Sequence, residues 1–237
     1  MISAEAIGRS ELKSALRLVG AAALDALAVV APTECSGCGA PDRAVCARCR
    51  TRLGPLLVSL EIGGGPRLHV VSGLRYRETA RRVLLAFKET GRTDAAAALA
   101  TVMRAVVRRA VTDCASAPPT GAVELATIPS TRAAFRQRGY HPIELVLARA
   151  GLRASHPLRL ARQTTDQATL GLTERLLNRD GSLVARADLS GRSFLLVDDI
   201  VTTGSTLREA RRAIESAGGI VHGAAVLANT ERTGRSG

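Results

Sequence analysis

Phe194-Leu195-Leu196-Val197-Asp198-Asp199-Ile200-Val201-Thr202-Thr203-Gly204-Ser205-Thr206 is the stretch that decides the fold. Its apolar beginning, Phe194 to Val197, reads as a buried strand of a parallel sheet. The strand runs into two adjacent acids, then two β-branched residues, then small residues that carry a hydroxyl or are glycine. Downstream, Leu207, Ala210, Ile214 and Ala217 recur on one helical face, and Gly218-Gly219 closes the helix. Thr206 and Glu209 have the spacing of a capping box. The local order is therefore strand, acidic pair, hydroxyl-rich loop, helix N-terminus.

That order suits a sugar phosphate. Backbone N–H groups over Thr203 to Thr206, together with the positive end of the helix, form an anion cradle. Gly204 lets the backbone approach a ligand, hydroxyls of Thr202, Thr203, Ser205 and Thr206 donate further bonds, and two acids accept from a vicinal diol. A plain βα turn, with the Asp and Thr residues only capping the helix, is the alternative; it does not need an acid pair followed by so long a cradle. The segment resembles the phosphoribosyl-pyrophosphate (PRPP) signature of type I phosphoribosyltransferases. The resemblance implies that Asp198 and Asp199 hold the ribose hydroxyls and are the catalytic candidates. It also implies that Thr202, Thr203, Gly204, Ser205 and Thr206 wrap the 5′-phosphate.

The 237 residues are enough for a core plus an appendage. A 46% hydrophobic and 23% charged composition is that of a globular protein. The formal charge is +12, and it is almost wholly arginine, since Lys13 and Lys88 are the only lysines. Such a balance favours polyanionic partners, while a composition biased towards Ala, Arg and Gly gives it with no such partner. The segment Leu16 to Ala31 is apolar but is interrupted by Asp25 and is too short to span a bilayer. With Leu12, Leu16, Val19, Ala23 and Leu27 at helical spacing it reads as an amphipathic helix. The expectation is a cytoplasmic protein with no membrane span.

Cys35-Ser36-Gly37-Cys38 and Cys46-Ala47-Arg48-Cys49 are two C-x-x-C knuckles separated by seven residues. Four thiolates so spaced suit one tetrahedral Zn²⁺, with Cys35, Cys38, Cys46 and Cys49 as ligands and a structural role. A disulfide pair is the alternative, disfavoured by the lack of an export signal. Cys114 reads as a small buried hydrophobe.

Pro55 and the cluster Gly63 to Pro66 read as loop. Strands are expected at 69–76, 123–128, 158–160, 194–197 and 220–227, and helices at 79–89, 94–114 and 141–150. The alternation implies right-handed βαβ units and a mostly parallel sheet, with ligands at the carboxyl ends of the strands. Both Asp198-Asp199 and Pro129-Ser130 fall there. Neither a P-loop, nor a dinucleotide fingerprint, nor H-E-x-x-H occurs. The histidines (His69, His141, His156, His222) are scattered and read as surface or core residues. Lys88 is long enough to reach an anion, but a surface lysine is the first reading.

From about Leu24 to Leu227 the chain resembles the ComF family, a phosphoribosyltransferase-like group linked to competence for DNA uptake. The resemblance is carried by Leu24-Asp25, Pro32 and the four cysteines; by Leu74-Arg75-Tyr76 with Phe87-Lys88; and by Pro129 with Arg138-Gly139-Tyr140. It continues through Arg162, Gln167, Leu170, Arg175 and Asn178 to the Asp198–Thr206 signature. His141, where Asn is common, and Gly181-Ser182-Leu183 depart from the family pattern but leave that signature intact. The resemblance implies an α/β fold, with a type I phosphoribosyltransferase-like, mostly parallel sheet flanked by helices and a small N-terminal zinc-binding element. The chain then divides at 1–60, the N-terminal helix and zinc element, and 61–237, the phosphoribosyltransferase-like domain.

The resemblance also implies Mg²⁺ bound with PRPP, and pyrophosphate contacts or a mobile hood that involve Arg132, Arg138, Arg162 and Arg175. The expected function is PRPP binding with Mg²⁺-dependent phosphoribosyl transfer to an acceptor. The alternative is a non-catalytic competence factor that binds single-stranded DNA, with DNA-uptake or recombination proteins as partners. An aromatic content of 2% speaks against a stacking platform and leaves phosphate contacts to carry such binding.

Overall fold

The computed structural model describes residues 33–41, 43–63, 66–114, 122–161 and 181–230. The expected N-terminal helix, Arg162 and Arg175 lie outside them. At the centre is a six-stranded sheet in the order β1-β2-β8-β7-β3-β4. Its strands are β1 (Val58–Ile62), β2 (Leu68–Arg75), β3 (Val123–Thr127), β4 (Ala154–Ser155), β7 (Ser193–Val201) and β8 (Ile220–Asn229). Only β1 runs antiparallel to its neighbour, and every other pairing is parallel. Two further strands, β5 (Leu158–Leu160) and β6 (Leu183–Ala185), form a separate antiparallel ribbon. The expected strand at 158–160 therefore forms but does not join the main sheet; the adjacent β4 takes that edge.

The period-two alternation of β7 separates the two faces of the core. Leu195 and Val197 pack into one cluster, with Val71, Ala225 and Leu227. Phe194 and Leu196 pack into the other, with Val70, Ala224 and Val226. All four β7 side chains are fully buried, each stabilising the fold by roughly 1.5–3 kcal/mol. The first face is covered by α2 (Glu78–Glu89), α3 (Ala96–Asp113) and α5 (Pro142–Arg149). Gly73 of β2 permits the close approach of α3, since a Cβ there would lie 2.4 Å from Val102 Cγ1. The second face is covered by α6 (Ser205–Glu215). Among the described residues, no helix is long and apolar enough to cross a membrane.

The cysteine knuckles and the short α1 (Ala47–Arg52) dock on α2. Cys35, Val45, Cys49 and Leu53 are buried in the same cluster as Val83, Leu84 and Phe87, and Arg82 Nε donates to Gly37 O. Strand β1, where no element was expected, crosses the 60/61 division and joins the main sheet. Its hairpin with β2 is tied to α6: Arg208 donates to Gly63 O at 2.9 Å, and Arg211 to Pro66 O and Arg67 O.

Candidate functional site

The site opens where two neighbouring strands part company. β3 stops at Thr127, paired with Val197, whereas β7 runs on to Val201 beside β8. The chain leaving β3 turns away through Ile128, Pro129 and Ser130. Thr131 then caps α4 (Arg132–Arg138) by accepting the Ala134 N–H at 3.2 Å. The gap is a topological switch point, where open parallel sheets place their ligands. It holds a cavity of about 680 Å³ lined by Asp198 to Leu207, by Thr127 to Thr131, and by side chains of α2, α4 and α5.

Asp198 and Asp199 sit together at its base, both half-buried. Each carboxylate accepts from the next backbone N–H: Asp198 Oδ1 from Asp199 at 2.8 Å, and Asp199 Oδ1 from Ile200 at 2.7 Å. Burial, and then the neighbouring Asp199 charge, push the Asp198 carboxyl up to about 7, against the Asp199 N–H and Lys88. Asp199 Oδ2 pairs with Lys88 Nζ at 2.7 Å. Burial opposes the charge on Lys88, but the Asp199 carboxylate outweighs it and holds the ammonium above its usual range. Lys88 is thus no surface lysine but part of the cavity wall. Its signal was its rarity, one of two lysines among 33 basic residues, and its place beside Phe87, which anchors α2 in the core.

Beyond the acids, the loop 202–204 leads into α6. Thr203 Oγ1 lies 3.1 Å from Ser205 Oγ and 3.4 Å from the Ser205 N–H. The expected capping box does not form: the N-cap is Gly204, with φ +75°, which has no side chain to cap with. Glu209 instead accepts the Leu183 N–H at 2.9 Å and forms a fork with Arg212, which ties α6 to β6. Glycine at the N-cap brings no side chain to the start of α6, where backbone N–H groups and the helix dipole favour an anion.

Gly204 also has a reason other than ligand approach. A Cβ on it would lie 2.4 Å from Ile62 Cδ1, so β1 presses on the loop from behind. Gly204→Val is therefore expected to cost about 1–3 kcal/mol through its positive φ and the Ile62 clash, and to displace the loop. Thermal melting should show the loss; an unchanged melting temperature would remove Ile62 as the loop's support.

Of the arginines singled out from sequence, Arg138 lines the cavity. Its Nη2 lies 3.6 Å from Glu89 Oε1, and its buried Nε has no hydrogen-bond partner. Arg132 is exposed on α4 and does not line the cavity. Next to Arg138, the Tyr140 hydroxyl donates to Phe87 O and stitches this segment to the end of α2. His141 lines the rim, its ring stacked on Phe135 with centroids 4.7 Å apart.

The second cluster lies on the far side of α2. The sulfurs of Cys35, Cys38, Cys46 and Cys49 all lie within 4.8 Å of one another. Cys38 and Cys46 are 3.7 Å apart; four thiolates on a tetrahedral Zn²⁺ stand about 3.8 Å apart, as Zn–S bonds of about 2.3 Å require. Against burial, the N–H groups of Cys46 and Gly37 hold the Cys35 thiol down at about 6. Burial, then the other thiols, push Cys49 up to about 12. The donor set and spacing fit a thiolate-bound metal.

Comparison with known proteins adds a common theme. The family model for the phosphoribosyl transferase domain matches residues 117–236. An orotate phosphoribosyltransferase of Pyrobaculum islandicum is 46% identical over 54 residues, 23% of this chain and 28% of that protein. Another, of Xylella fastidiosa strain M12, is 42% identical over 52 residues, 22% of this chain and 24% of that protein. The chain thus spans about a quarter of the length of the curated relatives it matches. A solved adenine phosphoribosyltransferase aligns with 77% of this chain and 90% of its own, at 11% identity and a TM-score of 0.37.

Proposed function

From the premise that the chain belongs to the phosphoribosyl transferase domain family, we propose that it binds PRPP with Mg²⁺ in the cavity at the end of β7 and transfers the phosphoribosyl group to an acceptor. The observation that carries this reading is the acid pair Asp198-Asp199 and, five residues on, a helix N-terminus with glycine at its N-cap, both lining one cavity. On this reading Asp198 and Asp199 accept the ribose 2′- and 3′-hydroxyls. Thr202, Thr203, Gly204, Ser205 and Thr206 hold the 5′-phosphate through hydroxyls and N–H groups. Arg138 meets the pyrophosphate with its unpartnered Nε, and Arg162 and Arg175 are the candidates for covering it.

In the transfer, the bond from C1 of ribose to pyrophosphate oxygen breaks, and a bond from C1 to the acceptor nucleophile forms. The carboxylates offset positive charge developing on the sugar. With one oxygen of each acid already accepting an N–H, Mg²⁺ would be held chiefly by ligand oxygens and water and would neutralise the leaving group. The four cysteines would hold one structural Zn²⁺, and a reducing, cytoplasmic setting keeps their thiols available.

The cysteine quartet docked on the fold supports the finer placement within the ComF family, and with it a link to DNA uptake. A second reading, single-stranded DNA binding without catalysis, is supported by the +12 charge; its affinity should fall steeply with salt. Incubation with PRPP, Mg²⁺ and a panel of nucleobases or DNA separates the two. Pyrophosphate release with one acceptor supports transfer. No release, with salt-sensitive DNA retention, supports the second.

A further inference from the structure

Asp199 has two claimants for one carboxylate oxygen. Its Oδ1 accepts the Ile200 N–H at 2.7 Å, which leaves Oδ2 for a sugar hydroxyl, and Lys88 Nζ stands 2.7 Å from Oδ2. The backbone of Lys88 is fixed in place. Phe87 is 2% exposed in the core, its carbonyl accepts the Tyr140 hydroxyl, and Glu89 faces Arg138 at 3.6 Å. What remains able to move is the flexible four-carbon stem, which lets the ammonium change partners.

The same cavity is lined by Arg138, whose buried Nε has no hydrogen-bond partner. A buried donor left unpaired is costly, and an anionic oxygen would recover that cost. Two cations, one with an orphaned donor, thus border the space beside the acid pair.

We propose that Lys88 is a ligand-exchange residue that selects for a 1-pyrophosphorylated ribose. In the free protein its ammonium closes the ribose end of the cavity on Asp199. When PRPP enters, it yields Asp199 to the sugar diol and binds pyrophosphate oxygens beside Arg138. Ribose 5-phosphate must displace the same ammonium but offers it no anion in return, so the exchange penalises that ligand and rewards PRPP. No covalent bond changes, since the ammonium only trades one anionic partner for another. The inference rests on the PRPP reading above and deepens it.

The test is calorimetry of the full metal-loaded chain with Mg²⁺, titrating PRPP and ribose 5-phosphate separately into wild type, Lys88→Met and Lys88→Gln. Methionine keeps the length and apolar stem; glutamine keeps a polar end without the charge. Both variants are expected to bind PRPP about ten- to a hundred-fold more weakly. Both should bind ribose 5-phosphate several-fold more tightly, because Asp199 is released, and that gain also shows that the fold is intact. Unchanged PRPP affinity, or a parallel loss for both ligands, overturns the exchange while leaving the PRPP reading standing. Wild type that binds neither ligand overturns both.

Discussion

Asp198→Asn is expected to make the ligand-free protein more stable at pH 8 while weakening PRPP binding by about ten- to a hundred-fold. Asp198 is held near pH 7 by burial and by the adjacent Asp199 charge, against about 3.9 for an ordinary Asp. A folded-state value above the unfolded one means that the folded protein holds this proton more tightly. The stability so gained is complete below about pH 4 and is lost as pH rises through about 7. Wild type at pH 8 therefore carries two adjacent negative charges that the fold disfavours. Asparagine has nearly the same shape and can still accept the Asp199 N–H, as Asp198 Oδ1 does at 2.8 Å. Removing the charge should recover on the order of 1–3 kcal/mol at pH 8, at about 2–4 °C in melting temperature for each kcal/mol in a chain of this size. Below about pH 4 wild type holds the proton in the folded and the unfolded state alike, and the two proteins should melt together. Melting scans at both values, with calorimetry for PRPP, check the result. A less stable variant at pH 8 would mean that the acid pair is not strained.

The other large effect belongs to the cysteines. The reduced wild-type chain should carry about one zinc, and Cys49→Ser should lose most of it. Cys49 is fully buried and shares a cluster with Val83 and Phe87 of α2, so the knuckles are part of the wall behind the cavity rather than a detached appendage. Structural zinc contributes on the order of 10–16 kcal/mol in isolated finger peptides. Loss of one ligand should therefore lower the melting temperature by ten degrees or more. Chelation of wild type should do the same, and added zinc should reverse it. Elemental analysis together with melting curves reads both quantities. A wild type free of zinc, or a Cys49→Ser variant that melts with wild type, would contradict a structural metal.

The parts of this molecule legible from sequence are those whose signal is local. β7 announced itself because an apolar run switches within two residues to acids and then hydroxyls, and the helices on either face because their apolar spacing repeats. What escaped was set by distant partners. β1, Val58–Ile62, alternates exposed and covered residues at the edge of the sheet and owes its pairing to β2. The short helix α4 carried a readable signal, Thr131 as cap and Gly139 with φ +75° as stop, but its arginines drew attention to anions instead. Glu209 had the spacing of a capping residue, yet a buried N–H from Leu183 and the Arg212 guanidinium were stronger claimants. The pairing of Lys88 with Asp199 joins residues far apart in the chain, and no window of sequence contains both.

The most direct test of the central claim is a calorimetric titration of the intact chain with PRPP, with and without Mg²⁺. PRPP binding at the end of β7 predicts saturable heat with one site per chain, stronger with Mg²⁺ and greatly reduced in Asp199→Asn. No heat under either condition, or equal affinity in wild type and Asp199→Asn, would contradict it.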